Sequence, residues 1–234
     1  MPDLLPGADS GSVVATLRKL IIEGRYPAGT RLAEIPVATA LGVSRTPVRL
    51  AFRTLAQEGL LQLTGKRGFV VRAFSEADVQ CAVEVRGALE GLAARRLAER
   101  GMPPEVEAAL RQCIADGERL LGKGRLDEDA VSGWAALNHR FHTAIVGATG
   151  SQVIADAIAR NNHLPFASAD SITIDPTALD REYQKLHFAQ AQHQLVFEAL
   201  QRRESARVEM LMREHAYIGL RYGALFGLEP GVAA

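Results

Sequence analysis

A chain of 234 residues that is 47% apolar can bury one or two ordinary cores, and with a single Trp and modest Gly and Pro content it is neither fibrous nor disordered. Its 27 basic and 27 acidic residues cancel, so the chain as a whole is no polyelectrolyte. No apolar run approaches the roughly 18 residues that a membrane span needs, and the opening MPDLLPGADS is acidic where a targeting segment is basic and then apolar, so the expected location is the cytoplasm.

The neutrality conceals a division. Through Phe74 there are ten Lys and Arg against five Asp and Glu, a net +5, and the remainder carries the compensating −5. Positive excess is the footprint of a polyanion binder, although a solvated basic surface has the same composition. Within this part, Val14, Leu17, Leu20 and Ile21 set one apolar face on a helix predicted over Val13–Gly24. The turn YPAG leads to a second predicted helical stretch, RLAEIPVATALG, ending at Gly42. A third helix starts almost at once. Ser44 is expected as its N-cap, the side-chain oxygen accepting a bond from a free backbone N–H, and Pro47 still lies in the first turn, where its missing N–H does little harm.

At about 100° per residue, Val48, Ala51, Phe52 and Leu55 collect on one side of this helix, and Arg45, Thr46, Arg49 and Arg53 on the other. After EGLL, the segments LLQLT and GFVVR read as short strands joined by the tight turn GKRG. The pattern is a helix-turn-helix followed by a basic hairpin. A helix fits the major groove of DNA, arginine near its N-terminus can bond guanine bidentately, and a Lys-Arg hairpin tip can reach phosphates or the minor groove.

The stretch LAEIPVATALGVSRTPVRLAFRTLAQEGLLQLTGKRGFVV resembles the winged helix-turn-helix of GntR-type transcription regulators, whose signature includes the SRTPVR core and a glycine-containing wing. The resemblance covers about residues 11–74 and departs after Arg49, where LAF stands in place of the commoner EAL. It implies DNA contacts from Arg31, Arg45, Thr46, Arg49, Lys66, Arg67 and Gly68.

From about Ser75 the chain reads as helix after helix, six or so in all. SEADVQCAVEVRGALEGLAARRLAERG, PPEVEAALRQCIADGERLLGKG, DEDAVSGWAALNHRFHTAIVGATG and SQVIADAIARNN are separated by Gly, Pro or polar breaks, and two long periodic stretches follow from Asp180 and Glu204. Cys81 and Cys113 fall inside helical patterns and are expected as buried small hydrophobes, with no disulfide framework or zinc ribbon. LPFASADSITIDPTALD is the longest irregular connection, long enough to cover a pocket.

Histidine placement is the informative feature of this part. Trp134, Leu137, Phe141 and Ile145 form one buried stripe, with Asn138 and His142 together along its edge. His193 sits at the centre of a face made by Leu186, Ala189, Val196, Phe197 and Leu200, and His215 lies among Val208, Leu211, Ile218 and Tyr222. By contrast His139 and His187 fall off their stripes, and His163 is in or near a loop. Three inward histidines on three helices admit a metal site or three hydrogen-bonded core residues. Arg86 and Glu90 share the inward face of Val79, Val83, Leu89, Ala93 and Leu97, one turn apart. A buried guanidinium must be paired, either with Glu90 or with a carboxylate that arrives as ligand.

VRGALEGLAARRLA, NHRFHTAIVGATG, HQLVFEAL and MREH resemble the FCD ligand-binding domain of the FadR subfamily, in its shorter VanR-like group. The resemblance implies a divalent metal such as zinc or nickel held at Asn138, His142, His193 and His215, with Asn138 an amide where the family has Asp, and a small carboxylate effector held by Arg86. The expected chain is mainly α, with a winged helix-turn-helix over residues 1–74 and an all-helical effector-binding and dimerisation domain over 75–234. It is expected to act as a homodimeric repressor that releases its DNA operator when the carboxylate binds, at a coupling energy of about 1–3 kcal/mol. Two readings from other classes stand beside this one: a metal-dependent hydrolase in which His142, His193 and His215 hold zinc and activate water, and a binding module that stores a metabolite.

Overall fold

A computed structural model describes residues 10–22, 24–65, 68–164, 167–168 and 178–218. The chain forms two compact units, one through Asp78 and one from Val79, with a short stretch at His163 grouped with the first.

The first unit opens with α1 (Ser10–Ile22), whose Leu17 and Ile21 are buried as expected, while Val13 is buried and the expected Val14 and Leu20 are only partly so. Next comes β1 (Arg31–Leu32), a strand where the second helix was expected to begin. Its pairing explains the difference: Arg31 lies opposite Val70 and Leu32 opposite Phe69, so Leu32 is buried while Arg31 faces out. Helix α2 (Glu34–Leu41) therefore begins three residues later and ends at Gly42, whose φ of 65° is a left-handed C-cap that glycine adopts without steric cost.

Helix α3 (Arg45–Gln57) follows after three residues, Gly42, Val43 and Ser44. Ser44 is extended at its N-cap, but its side chain makes no capping hydrogen bond, contrary to expectation. The start of the helix rests instead on the turn from Gly42 and on the fixed φ of Pro47 in the first turn. Val48, Ala51, Phe52 and Leu55 are fully buried, and Phe52 meets Phe69 with ring centroids 5.3 Å apart. Strands β2 (Leu61–Thr64) and β3 (Gly68–Val71) complete an antiparallel sheet in the order β1-β3-β2, with Thr64 opposite Gly68. Lys66 and Arg67, expected at the hairpin tip, lie outside the described residues.

Six helices are described after this sheet: α4 (Glu76–Arg100), α5 (Pro104–Leu121), α6 (Glu128–Ala148), α7 (Gln152–Asn162), α8 (Leu179–Gln201) and α9 (Ser205–His215). Asp127 caps α6, accepting from the N–H of Ala130 at 2.7 Å. One core joins Leu97, Leu110, Phe141, Ile145, Leu200 and Met212, and a second joins Leu121, Trp134, Leu137, Leu186 and Ile218. Cys113 is buried as expected, whereas Cys81 is exposed near the start of α4, on the face opposite the core positions.

Helix α4 meets α9 at two glycines. A Cβ at Gly87 would stand 3.0 Å from Ala216 Cβ, and one at Gly91 would stand 2.9 Å from the carbonyl oxygen of Glu209. Most of the irregular connection before α8, and Tyr222, lie outside the described residues. Among the described residues no helix is long and apolar enough to cross a membrane.

Candidate DNA interface and histidine centre

The outward face of α3 presents Arg45, Thr46, Arg49 and Arg53, all exposed. Arg31 from β1 and Gly68 from β3 line the same shallow concavity as Arg45, Arg49 and Arg53. Of the residues expected at DNA, the structure thus gathers Arg31, Arg45, Arg49 and Gly68 around one surface, with Thr46 at the adjoining helix end.

An acidic residue enters this surface that the sequence reading did not single out. Glu34, the first residue of α2, accepts from Arg49 Nε at 2.7 Å and Nη2 at 2.9 Å, and from Arg45 Nη2 at 3.1 Å. The Arg49 guanidinium foremost, with Arg45 beside it, holds the Glu34 carboxyl down at about 2 against the resistance of partial burial. The available signal was an acid in a segment that otherwise collects positive charge.

In the helical unit the candidate side chains turn inward. His142, His193 and His215, from α6, α8 and α9, are buried, with one ring nitrogen of each within 4.8 Å of the others. His215 Nε2 stands 3.3 Å from His142 Nε2 and 3.1 Å from His193 Nε2. Nitrogens that share one ion at about 2.0–2.1 Å stand roughly 2.8–3.4 Å apart for octahedral to tetrahedral angles, so both pairs made by His215 have ligand spacing.

The outer partners decide which nitrogens are free to bind. His215 Nδ1 is 2.8 Å from Gln192 Oε1, an oxygen that only accepts, so Nδ1 carries the proton and Nε2 offers its lone pair inward. His142 Nδ1 faces Glu90 Oε2 at 3.1 Å, close enough for charge pairing though angled away from a well-formed hydrogen bond. A proton on that nitrogen likewise turns the His142 lone pair inward. His193 stacks on Phe141 with centroids 4.1 Å apart, and more distantly on Trp134. Burial, and after it the neighbouring histidine His142, holds His193 well below the usual histidine range; burial and then His193, His142 and Arg86 do the same to His215. These rings are neutral at pH 7, as a ligand must be. Asn138 is buried one turn before His142.

Arg86 and Glu90 are both buried, but no ion pair of 4 Å or less joins them among the described residues. Arg86 Nη2 donates to the carbonyl oxygen of Ala216 at 2.6 Å, while its Nε is buried with no hydrogen-bond partner. Burial works against charge on Glu90, but His142, and then Arg86, prevail and hold its carboxyl below the usual range. The close partner of Glu90 is thus His142, a contact between two helices that no helical period announces.

An outward arginine face on a winged helix and an inward histidine centre in a helical domain define a DNA-binding regulator with a sensory domain. The chain belongs to the gntR family of bacterial regulatory proteins: that family's pattern matches residues 10–71, and the FCD domain matches residues 81–217. It is 31% identical over 204 residues to the HTH-type transcriptional repressor RspR of Escherichia coli (strain K12), covering 85% of this chain and 82% of that protein. It is also 39% identical over 132 residues to an uncharacterized HTH-type transcriptional regulator in the TAR-I ttuE-ttuC' intergenic region of Agrobacterium vitis, covering 56% of this chain and 74% of that protein. The solved structure of E. coli McbR/YncC shares the fold, with a TM-score of 0.62 over 93% of this chain and 96% of that one at 20% identity. The chain is a DNA-binding transcription regulator, and the hydrolase reading finds no support in these relatives.

Proposed function

We propose that this regulator is a homodimeric repressor, acting in the cytoplasm, that leaves its operator when a small carboxylate enters the helical domain. Residues 1–74 form the DNA-reading part, with contacts from Arg31, Arg45, Thr46, Arg49, Lys66, Arg67 and Gly68, and residues 75–234 bind effector and dimerise. Twofold symmetry is what paired half-sites on DNA require. The relative RspR carries the name repressor, which supports the sign of the output.

The observation that carries the sensory role is the convergence of three buried imidazoles, with His215 Nε2 at 3.3 Å from His142 Nε2 and 3.1 Å from His193 Nε2. This spacing fits a divalent ion such as zinc or nickel, held by His142, His193 and His215 with Asn138 as a neutral oxygen donor. A bound ion supplies a Lewis-acid anchor for an anionic oxygen. Three neutral rings and an amide leave its positive charge uncancelled among the ligands, which favours a carboxylate as the remaining donor. Arg86, with its buried Nε unpaired, supplies a second donor to the same anion. Glu90, outside the ligands, orients His142 and balances part of the buried positive charge.

The test combines metal analysis of the purified protein, selection of operator DNA from random duplexes, and a screen of carboxylates for release of that DNA. Arg86→Met is expected to keep operator binding and lose release, because the variant removes the guanidinium from the effector while the DNA-reading face is untouched. A wild type that takes up no metal under saturating conditions yet still responds to a carboxylate removes the metal from this reading and makes the histidines direct ligand contacts.

A further inference from the structure

The DNA-reading face carries its own acid, and the way Glu34 holds Arg49 is specific. A guanidinium has five N–H donors and two edges suited to bidentate bonding: the side edge of Nε with Nη2, and the end edge of Nη1 with Nη2. Glu34 occupies the side edge, with Oε1 at 2.7 Å from Nε and Oε2 at 2.9 Å from Nη2. The end edge is left, and that edge can meet O6 and N7 of guanine together. Glu34 is itself anchored, because it is the first residue of α2, where the helix dipole favours a carboxylate. A second bond, from Arg45 Nη2 at 3.1 Å, ties the other arginine of the first turns to the same oxygen pair.

Two consequences follow from charge and geometry. With its guanidinium plane fixed, Arg49 gives up less rotamer freedom on meeting a base. With one negative charge set between two positive ones, the face also attracts the phosphate backbone less, and the backbone is the same in every sequence. The first effect widens the gap between operator and bulk DNA, and the second lowers the affinity for both alike.

We infer that Glu34 is the specificity-determining residue of the DNA interface, a positioning residue that aims Arg49 at a guanine and suppresses sequence-independent binding. This rests on the reading of α3 as the DNA-contacting helix. The opposite role is also chemically open to a carboxylate in this place: a mask that covers the arginines and weakens binding to all DNA equally.

The experiment uses the full chain and a duplex enriched by the wild-type protein from random DNA. Affinities of wild type and Glu34→Gln are measured for that duplex, for the same duplex with each G·C pair replaced in turn, and for a scrambled duplex, across a salt series. Expected for Glu34→Gln is tighter binding to scrambled DNA, with a salt slope steeper by about 1, and an operator-to-scrambled ratio lower by about tenfold. The penalty for replacing the guanine that wild type requires shrinks as well. Arg49→Ala abolishes the same penalty, and adding Glu34→Gln to it causes no further loss of discrimination, since the residue that Glu34 aims is gone. Melting curves beside each titration confirm folded protein, and Glu34→Asp, which keeps the charge on a shorter arm, restores part of the ratio. If Glu34→Gln tightens operator and scrambled DNA by the same factor, Glu34 is a mask and the inference is overturned. Failure of the wild type to enrich any sequence is a different result, and it removes the DNA-reading role of α3 and the inference together.

Discussion

The two units solve opposite problems with the same amino acids. In the first, a dry core of Val48, Phe52 and Leu55 supports arginines that stay in water, with 58% and 49% of the Arg45 and Arg49 side chains exposed. In the second, the polar groups are the interior: Arg86, Glu90, His142, His193 and His215 are each at most 5% exposed. A charge held in water can be gained or lost at little cost to the fold, so the DNA face is free to tune its chemistry. A charge held inside must be balanced inside, and there each functional group is bound to a structural one, as Glu90 is to His142 and Arg86 to the backbone of Ala216.

The largest expected effect comes from the support beneath the outward face. Phe52→Ala removes a fully buried ring in contact with Phe69 and should cost about 3–5 kcal/mol. Denaturant unfolding is expected to show that loss, with operator binding disappearing as the DNA-reading unit unfolds. A variant that keeps both stability and binding would break the division between a supporting core and a separate reading face.

Next in size is Glu90→Gln, which keeps the shape and removes the buried charge behind His142. Metal affinity measured by calorimetry is expected to fall about 10- to 100-fold, while operator affinity of the metal-free protein stays at its wild-type value. Unchanged metal affinity would show that the inner charge is not coupled to the histidines.

The smallest effect concerns Glu34 and pH. Its folded value of about 2 lies below the ordinary 4.5, so the contribution of its arginine pairs is fully present above about 4.5 and is lost as pH falls through about 2. The geometry of the reading face should therefore be constant from pH 5 to 8, and a carboxyl titration followed by NMR should place the Glu34 midpoint near 2. A midpoint close to 4.5 would mean that water, not the arginines, sets its state.

Much of this was legible in the chain because period and burial go together. The four apolar and four polar positions of α3, and the three inward histidines, follow from about 100° per residue applied to one helix at a time. What was not legible depends on a second element. Two residues of β1 are too few to show an alternation, and only pairing with β3 makes them a strand. Ser44 has the right chemistry for a cap, yet its side chain is not used for one. Cys81 was expected inside because it falls within a helical pattern, but its own position on α4 faces outward while the adjoining Ala82 and Val83 are buried. Glu34 with Arg49, Glu90 with His142 and Gln192 with His215 join residues 15, 52 and 23 positions apart. The last pair lies on two helices whose separate periods say nothing about their mutual distance.

Gly87 and Gly91 act as a spacer of zero thickness. Where most helix pairs are kept apart by interlocked side chains, α4 lies against the backbone of α9 at Glu209 and against Arg213, with no side chain of its own between them. His215 is the last residue of α9, so the width of this joint fixes how far its ring reaches toward His142 and His193. A methyl group at Gly87 would thicken the joint by a few tenths of an ångström, and one at Gly91 would force the backbone of α9 to shift. Metal ligands tolerate errors of only about 0.2 Å. The gauge of the histidine centre is therefore set one helix away from any of the three histidines, by two residues with no side chain at all.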